Sequence, residues 1–109
     1  MTLINKKDKI FIAGAKGMVG SAIKRKLIQC GYQNLITPDR SELDLTNSDL
    51  VFNWYKKAKP EIVILAAAKV GGIHANKTFP ADFLLDNIKI QTNVIESAWK
   101  NNVKRLLFL

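Results

Sequence analysis

The chain has 109 residues, 48% of them hydrophobic and 24% charged, with a formal net charge of +8. That composition excludes a disordered segment, and no stretch approaches the ~18 uninterrupted apolar residues of a membrane span. The lysines are spread along the chain without interleaved aromatics, so the charge reads as solvated helix faces and a field that attracts anions, not as a nucleic-acid interface.

Residues 1–9 form a polar N-terminal arm. It shows no apolar core followed by a cleavage site, so no signal peptide is expected. The single cysteine, Cys30, has no internal partner for a disulfide. Both features fit a cytoplasmic protein. Residues 10–109 read as one α/β domain. Ile10–Ala13 is an apolar run of strand length, expected as a buried parallel strand. The loop Gly14-Ala15-Lys16-Gly17-Met18-Val19-Gly20 follows, and a helix is expected from Met18 to Cys30, stopped by Gly31. Its stripe Val19, Ile23, Leu27 and Cys30 places the thiol in the interior.

Leu35-Ile36-Thr37 reads as a second strand closed by Pro38, and Ser41–Leu45 as a loop or a short edge strand. A second helix spans Ser48 to Lys57, capped by Thr46 or Asn47 and stopped by Pro60, with Val51, Trp54 and Ala58 as its apolar stripe. Ile62–Leu65 is apolar at every position, as a central strand must be. Ala66-Ala67-Ala68 and a turn at Gly71-Gly72 come next. A long helix begins near Pro80, carries Leu84, Ile88, Ile95 and Trp99, and ends near Asn101. The last run is Leu106–Leu109. The order β-α-β-α-β-α-β predicts a Rossmann-like doubly wound parallel sheet.

A strand, a glycine turn and a helix start form a phosphate cradle. Gly14 suits the tight turn, Gly17 suits backbone approach to a pyrophosphate, and Gly20 suits close packing of the helix on the sheet. In such sheets ligands bind at the carboxyl ends of the strands. That edge gathers the glycine loop, Asp39-Arg40 and the Ala66–Gly72 loop. An acid at the end of the second strand favours NAD, and a base there favours NADP. This chain has both, and Lys16 adds a second cation, so NADP is expected with NAD possible. Asp44-Leu45 suits an adenine, through a carboxylate for the amino group and an apolar face for the ring. Ala66, Ala67 and Ala68 leave room beside a strand end. His74, the only histidine, reads as structural. Tyr55 and Lys59 match a Tyr-x-x-x-Lys proton-donor pair, but they end a helix that leads to the wrong edge of the sheet.

With the glycine loop, Asp44-Leu45 and the strand-end alanines in place, the chain resembles the extended short-chain dehydrogenase/reductases. Within them it is similar to the GDP-L-fucose synthase family. The likeness is carried by Phe11–Gly14, Gly17–Ile23, Leu65–Ile73, Ala75-Asn76, Pro80–Phe83 and Lys104–Leu109. It implies NADPH-dependent epimerisation at C3 and C5 of GDP-4-keto-6-deoxy-mannose, reduction at C4, and a homodimer. The cofactor contacts it implies are Gly14, Ala15, Lys16, Gly17, Met18, Val19, Gly20, Arg40, Ser41, Asp44, Leu45, Ala66, Ala67, Ala68 and Leu109. The family's catalytic serine, cysteine and Tyr-x-x-x-Lys pair, and its sugar-binding domain, fall beyond Leu109. No catalytic residue and no metal ligand is therefore expected here, and Cys30 and His74 do not match the family's catalytic positions. Other nucleotide-sugar epimerases or dehydratases, a non-enzymatic NADP-binding module and a basic nucleic-acid binder remain the alternatives. An apolar edge strand at Leu106–Leu109 is expected to promote self-association.

Overall fold

Strands with apolar side chains at consecutive positions must be covered on both faces, and this requirement organises the domain. The computed structural model describes residues 4–67 and 80–109. Its elements are β1 (Ile10–Ala13), α1 (Met18–Gln29), β2 (Leu35–Ile36), α2 (Ser48–Ala58), β3 (Ile62–Leu65), α3 (Pro80–Lys100) and β4 (Arg105–Phe108). All strand pairs are parallel, in the spatial order β2-β1-β3-β4. Ile10 lies opposite Ile62 and Ala13 opposite Leu65, so the two fully buried strands form the centre.

The pleat sends alternate residues to opposite layers. Ile10, Ile12, Ile62 and Ile64 meet Ile23 and Leu27 of α1, together with Tyr32 and Leu35. Phe11, Ala13, Val63 and Leu65 meet Val51 and Tyr55 of α2 and Ile90, Val94 and Ala98 of α3. The chain steps one way from β1 to β2 and the other way from β2 through β3 to β4. Right-handed crossovers then require α1 on one face and α2 and α3 on the other, which is the arrangement found.

Four sequence expectations are corrected. Cys30 is exposed, because it caps α1 beyond the part of the helix that packs on the sheet. Val19 is 53% exposed, and the inward positions of α1 are Gly20, Ile23 and Leu27. In α2 the inward pair is Val51 and Tyr55, with Trp54 half-buried beside Phe11 at a ring separation of 4.4 Å. In α3 the residues Leu84, Ile88, Ile95 and Trp99 face outward, and the buried line is Ile90, Val94 and Ala98. Of the two forms expected for Ser41–Leu45, the structure shows the loop.

Tyr55 is fully buried, and its hydroxyl donates to the Val94 carbonyl at 3.1 Å. Burial pushes its phenol far above the ordinary range. It joins α2 to α3, and Lys59 ends α2 in the left-handed conformation at the opposite edge of the sheet from the glycine loop. This pair is a packing element.

The amino edge of the sheet is tied by Asp8, whose side chain is 7% exposed. It accepts from the Asn5 amide at 2.9 Å and from the Lys104 ammonium at 3.0 Å, joining the N-terminal arm to the residue before β4. The Asn5 amide first, and Lys104 second, hold the Asp8 carboxyl below its usual value of 3.8. A depressed carboxyl stabilises the fold above its unfolded pKa and loses that contribution as pH falls through the folded one. Asp8→Asn is therefore expected to lower the melting temperature at pH 7 and to flatten the loss of stability below about pH 4, in thermal melts across pH.

Among the described residues β4 pairs only with β3, and Leu106, Leu107, Phe108 and Leu109 are 39–55% exposed. An apolar strand open on its edge and both faces is a pairing template. The chain is expected to self-associate in a concentration-dependent way by sedimentation velocity, and Leu107→Lys to reduce it. A clean monomer at high concentration would contradict this.

Candidate nucleotide-binding site

The doubly wound order leaves a crevice where β1 and β3 lie side by side and their following helices depart to opposite faces. At this point the structure has a cleft of about 460 Å³, within the range of ligand sites. Its floor is Gly14, Ala15 and Gly17 after β1, and Ala66 and Ala67 after β3. One wall is the loop after β2, from Thr37 to Arg40 and from Leu43 to Thr46, and the other is Asp86 and Ile90 of α3.

The glycine loop is built by close approach. Gly14 has φ of +89°, and a Cβ there would lie 2.7 Å from Ala67 backbone atoms. A Cβ on Gly20 would lie 1.9 Å from the Gly14 carbonyl oxygen. The first turn of α1 thus sits directly on the loop, and Gly20 packs against Gly14, not against the sheet itself. A Cβ on Gly17 would meet only the Gly14 oxygen at 3.5 Å, an ordinary contact. Gly17 caps α1 with extended backbone and no side-chain hydrogen bond, and no acid lies in the first turn. By contrast, α2 is capped by Asn47, which accepts from the Leu50 amide, and carries Asp49. The start of α1 therefore presents amides and the positive end of its dipole to the cleft without an internal counter-charge. This donor set suits a phosphate or diphosphate.

The wall after β2 carries the charges. The Asp39 carboxylate accepts from the Ser41 hydroxyl and from the Glu42 amide at 3.1 Å, both on Oδ1. Its Oδ2 accepts from the Lys16 ammonium at 3.4 Å, which links the glycine loop to the wall. The Ser41 bond first, then the Glu42 amide, hold the carboxyl below its usual range. Lys16 remains 84% exposed at its side chain, so this pair contributes little stability. Arg40 is exposed and enters no ion pair with a described residue. Asp44 accepts from the Thr46 amide and hydroxyl through one oxygen, at 3.0 and 2.7 Å. Leu45 is half-buried, and its carbonyl is held by Asn93 of α3 at 2.9 Å.

Of the residues singled out in the sequence, Gly14, Ala15, Lys16, Gly17, Arg40, Asp44, Leu45, Ala66 and Ala67 line one cleft. Gly20 lies beneath the loop as its support. Met18 is 89% exposed, and Met18, Val19, Ser41 and Leu109 do not line the cleft. Leu109 instead donates its amide to the Leu65 carbonyl at 3.1 Å beside the end of β3. Ala68, Gly71-Gly72 and His74 lie outside the described residues. Sequence reasoning missed Thr37, Pro38, Leu43, Thr46, Asp86 and Ile90. The spacing Leu43-x-Leu45 beside a strand end is a signal that finds Leu43, whereas Asp86 and Ile90 reach the cleft only through the docking of α3.

This crevice, with an uncapped helix start aimed into it, defines a nucleotide-binding domain of the doubly wound class. The chain belongs to the NAD dependent epimerase/dehydratase family, whose profile matches residues 10–109. It is 56% identical over 108 residues to GDP-L-fucose synthase 1 of Arabidopsis thaliana, a match covering 99% of this chain and 33% of that protein. Among solved structures, DdhaC matches with a TM-score of 0.94 and 52% identity, over 96% of this chain and 30% of its own. MlghC, a GDP-mannoheptose C4 reductase from Campylobacter jejuni with NADP bound, matches with a TM-score of 0.91 and 43% identity, over 96% of this chain and 33% of its own. The chain spans about a third of the length of the curated relatives it matches. Among the described residues no helix is long and apolar enough to cross a membrane, and no cluster of metal-ligating side chains occurs.

The two glycines separate folding from binding. Gly20→Ala is expected to cost about 1–3 kcal/mol of stability, because backbone must move to admit the methyl. Gly17→Ala is expected to cost no more than about 1 kcal/mol, the preference of an N-cap for Gly over Ala, yet to weaken nucleotide binding, because its methyl stands where the phosphates approach. Chemical denaturation and calorimetric titration read the two effects independently.

Proposed function

We propose that the chain is the cofactor-binding, N-terminal portion of a GDP-L-fucose synthase, and that the cleft holds NADP. The observation that carries the reading is the uncapped start of α1, seated by Gly14 and Gly20 at the crevice between β1 and β3. In this reading the amides of Met18 and Val19, at the positive end of α1, take the pyrophosphate, while the Gly17 amide is held by the Gly14 carbonyl at 3.1 Å and Gly20 keeps the helix close. Lys16 and Arg40 meet the 2′-phosphate. Ser41, Asp44 and Leu45 flank the adenosine, with Leu45 against the ring. Ala66 and Ala67 line the inner groove toward the nicotinamide, with Leu109 following the strand beside them. Bound there, NADPH supplies the hydride that reduces a keto sugar. The residues of this chain bind and orient it, and none acts on the sugar.

The complete enzyme in this reading epimerises GDP-4-keto-6-deoxy-D-mannose at C3 and C5 and reduces C4, with the catalytic residues and sugar domain contributed by sequence outside these 109 residues. It works as a cytoplasmic homodimer without nucleic acid or membrane. The outward apolar face of α3, with Leu84, Ile88 and Trp99, suits the dimer contact. A second reading is reduction at C4 of another GDP-linked keto sugar, favoured by the likeness to the GDP-mannoheptose C4 reductase.

The 109-residue chain is expected to bind NADPH in calorimetric or fluorescence titration and to give no GDP-fucose when supplied with NADPH and the keto sugar. Absence of dinucleotide binding overturns the site, and measurable product overturns the division between cofactor and catalytic portions.

A further inference from the structure

The wall of the cleft carries an acid where a phosphate-binding wall would be expected to carry none. The cations lining the cleft among the described residues are Lys16 and Arg40, and one of the two is already paired. The two oxygens of Asp39 have separate duties. Oδ1 is fixed by the Ser41 hydroxyl and the Glu42 amide and so organises the turn. Oδ2 reaches Lys16 across the mouth of the cleft at 3.4 Å. The two residues are 23 apart in sequence, so the pair joins two loops. Asp39 itself is half-buried and anchored, whereas Lys16 is exposed and can swing away. The carboxyl is held below its usual range by the turn before Lys16 adds anything, so it stays charged when Lys16 leaves.

An anchored carboxylate beside the end of β2 treats the two dinucleotides oppositely. It accepts hydrogen bonds from a free ribose diol. It repels a 2′-phosphate at the same place, and that phosphate must also draw Lys16 from it. We propose that Asp39 is a specificity-determining residue: it holds Lys16 in the empty cleft, opposes the 2′-phosphate in the filled one, and leaves the chain able to bind NAD as well as NADP. The proposal rests on the cleft being a dinucleotide site. It extends that reading by assigning one acid the balance between cofactors, with Arg40 as the cation not engaged by it.

Asp39→Asn isolates the charge, because the amide oxygen can still accept from Ser41 and Glu42 while the cleft-side group no longer attracts Lys16. Calorimetric titration of the 109-residue chain with NADP, NAD, adenosine 2′-monophosphate and adenosine 5′-monophosphate reads the effect. The parent is expected to bind NADP and NAD within about tenfold of each other, and the variant to widen the ratio toward NADP by roughly tenfold, the size expected for relief of one like-charge contact. The 2′-monophosphate should tighten with NADP, and the 5′-monophosphate should not. If both dinucleotides bind and the ratio is unmoved, Asp39 has no part in the choice. If the parent binds neither, the dinucleotide site itself fails. Lys16→Gln supplies a second measurement at an exposed position, should Asp39→Asn not fold. It should weaken NADP by about tenfold while NAD holds or improves as Asp39 is freed. Equal losses for both dinucleotides would overturn the proposal.

Discussion

Everything at the ligand-binding edge depends on one close approach, the seating of the first turn of α1 on the carbonyl of Gly14. The missing Cβ of Gly20 lets that turn descend onto the loop, and the missing Cβ of Gly14 lets the exit of β3 at Ala66 and Ala67 press against the same residue. Backbone from three separated segments thereby meets within van der Waals distance. The first amides of α1 stand over this junction with no side-chain cap, and the Gly17 amide before them is held by the Gly14 carbonyl. A side chain on Gly14 or Gly20 would lift the helix, and the amides and the helix dipole would no longer point into the crevice.

The rest of the sheet exists to hold that junction still. β1 and β3 are paired in register from Ile10 to Ala13 and from Ile62 to Leu65, and no residue in either strand is exposed. Their alternate side chains serve both layers, so the exits of the two strands cannot shift without disturbing two cores at once. Phe11, Trp54 and Tyr55 lock the layer that carries α2, and the Tyr55 hydroxyl fastens α2 to α3. The helix so fastened, α3, supplies a wall of the cleft through Ile90 and Asp86. At the opposite edge Asp8 performs the equivalent service, tying the arm to the entrance of β4.

Charge at the cleft follows from loops, not from the sheet. The net excess of positive charge draws anions in general. Selectivity among them is set locally, by which side chain stands opposite which. Asp39 is fixed by its own turn and meets a lysine from the glycine loop, so the field at this wall of the cleft is weaker than a count of basic residues suggests.

The sequence alone determined the strand and helix order, the two central strands, the glycine cradle and the edge of the sheet at which ligands bind. These are legible because they rest on short-range causes: apolar runs of strand length, capping residues, and glycines at a fixed spacing between a strand and a helix. Nine residues read as cleft-lining are brought together for that reason. Which face of α1 and α3 turns inward was decided only by tertiary packing. The helix α3 carries large apolar side chains on both sides, so its periodicity permits Ile88 and Trp99 as core just as well as Ile90, Val94 and Ala98. Only the position of the sheet beneath it selects the second set. The same is true of Cys30, which continues an apolar stripe but lies past the end of what the sheet covers, and of Asp39, whose partner is a distant loop. A pattern along the chain records what a residue prefers locally, whereas its neighbour across the fold is set by the simultaneous burial of several elements, which no single stretch of sequence contains.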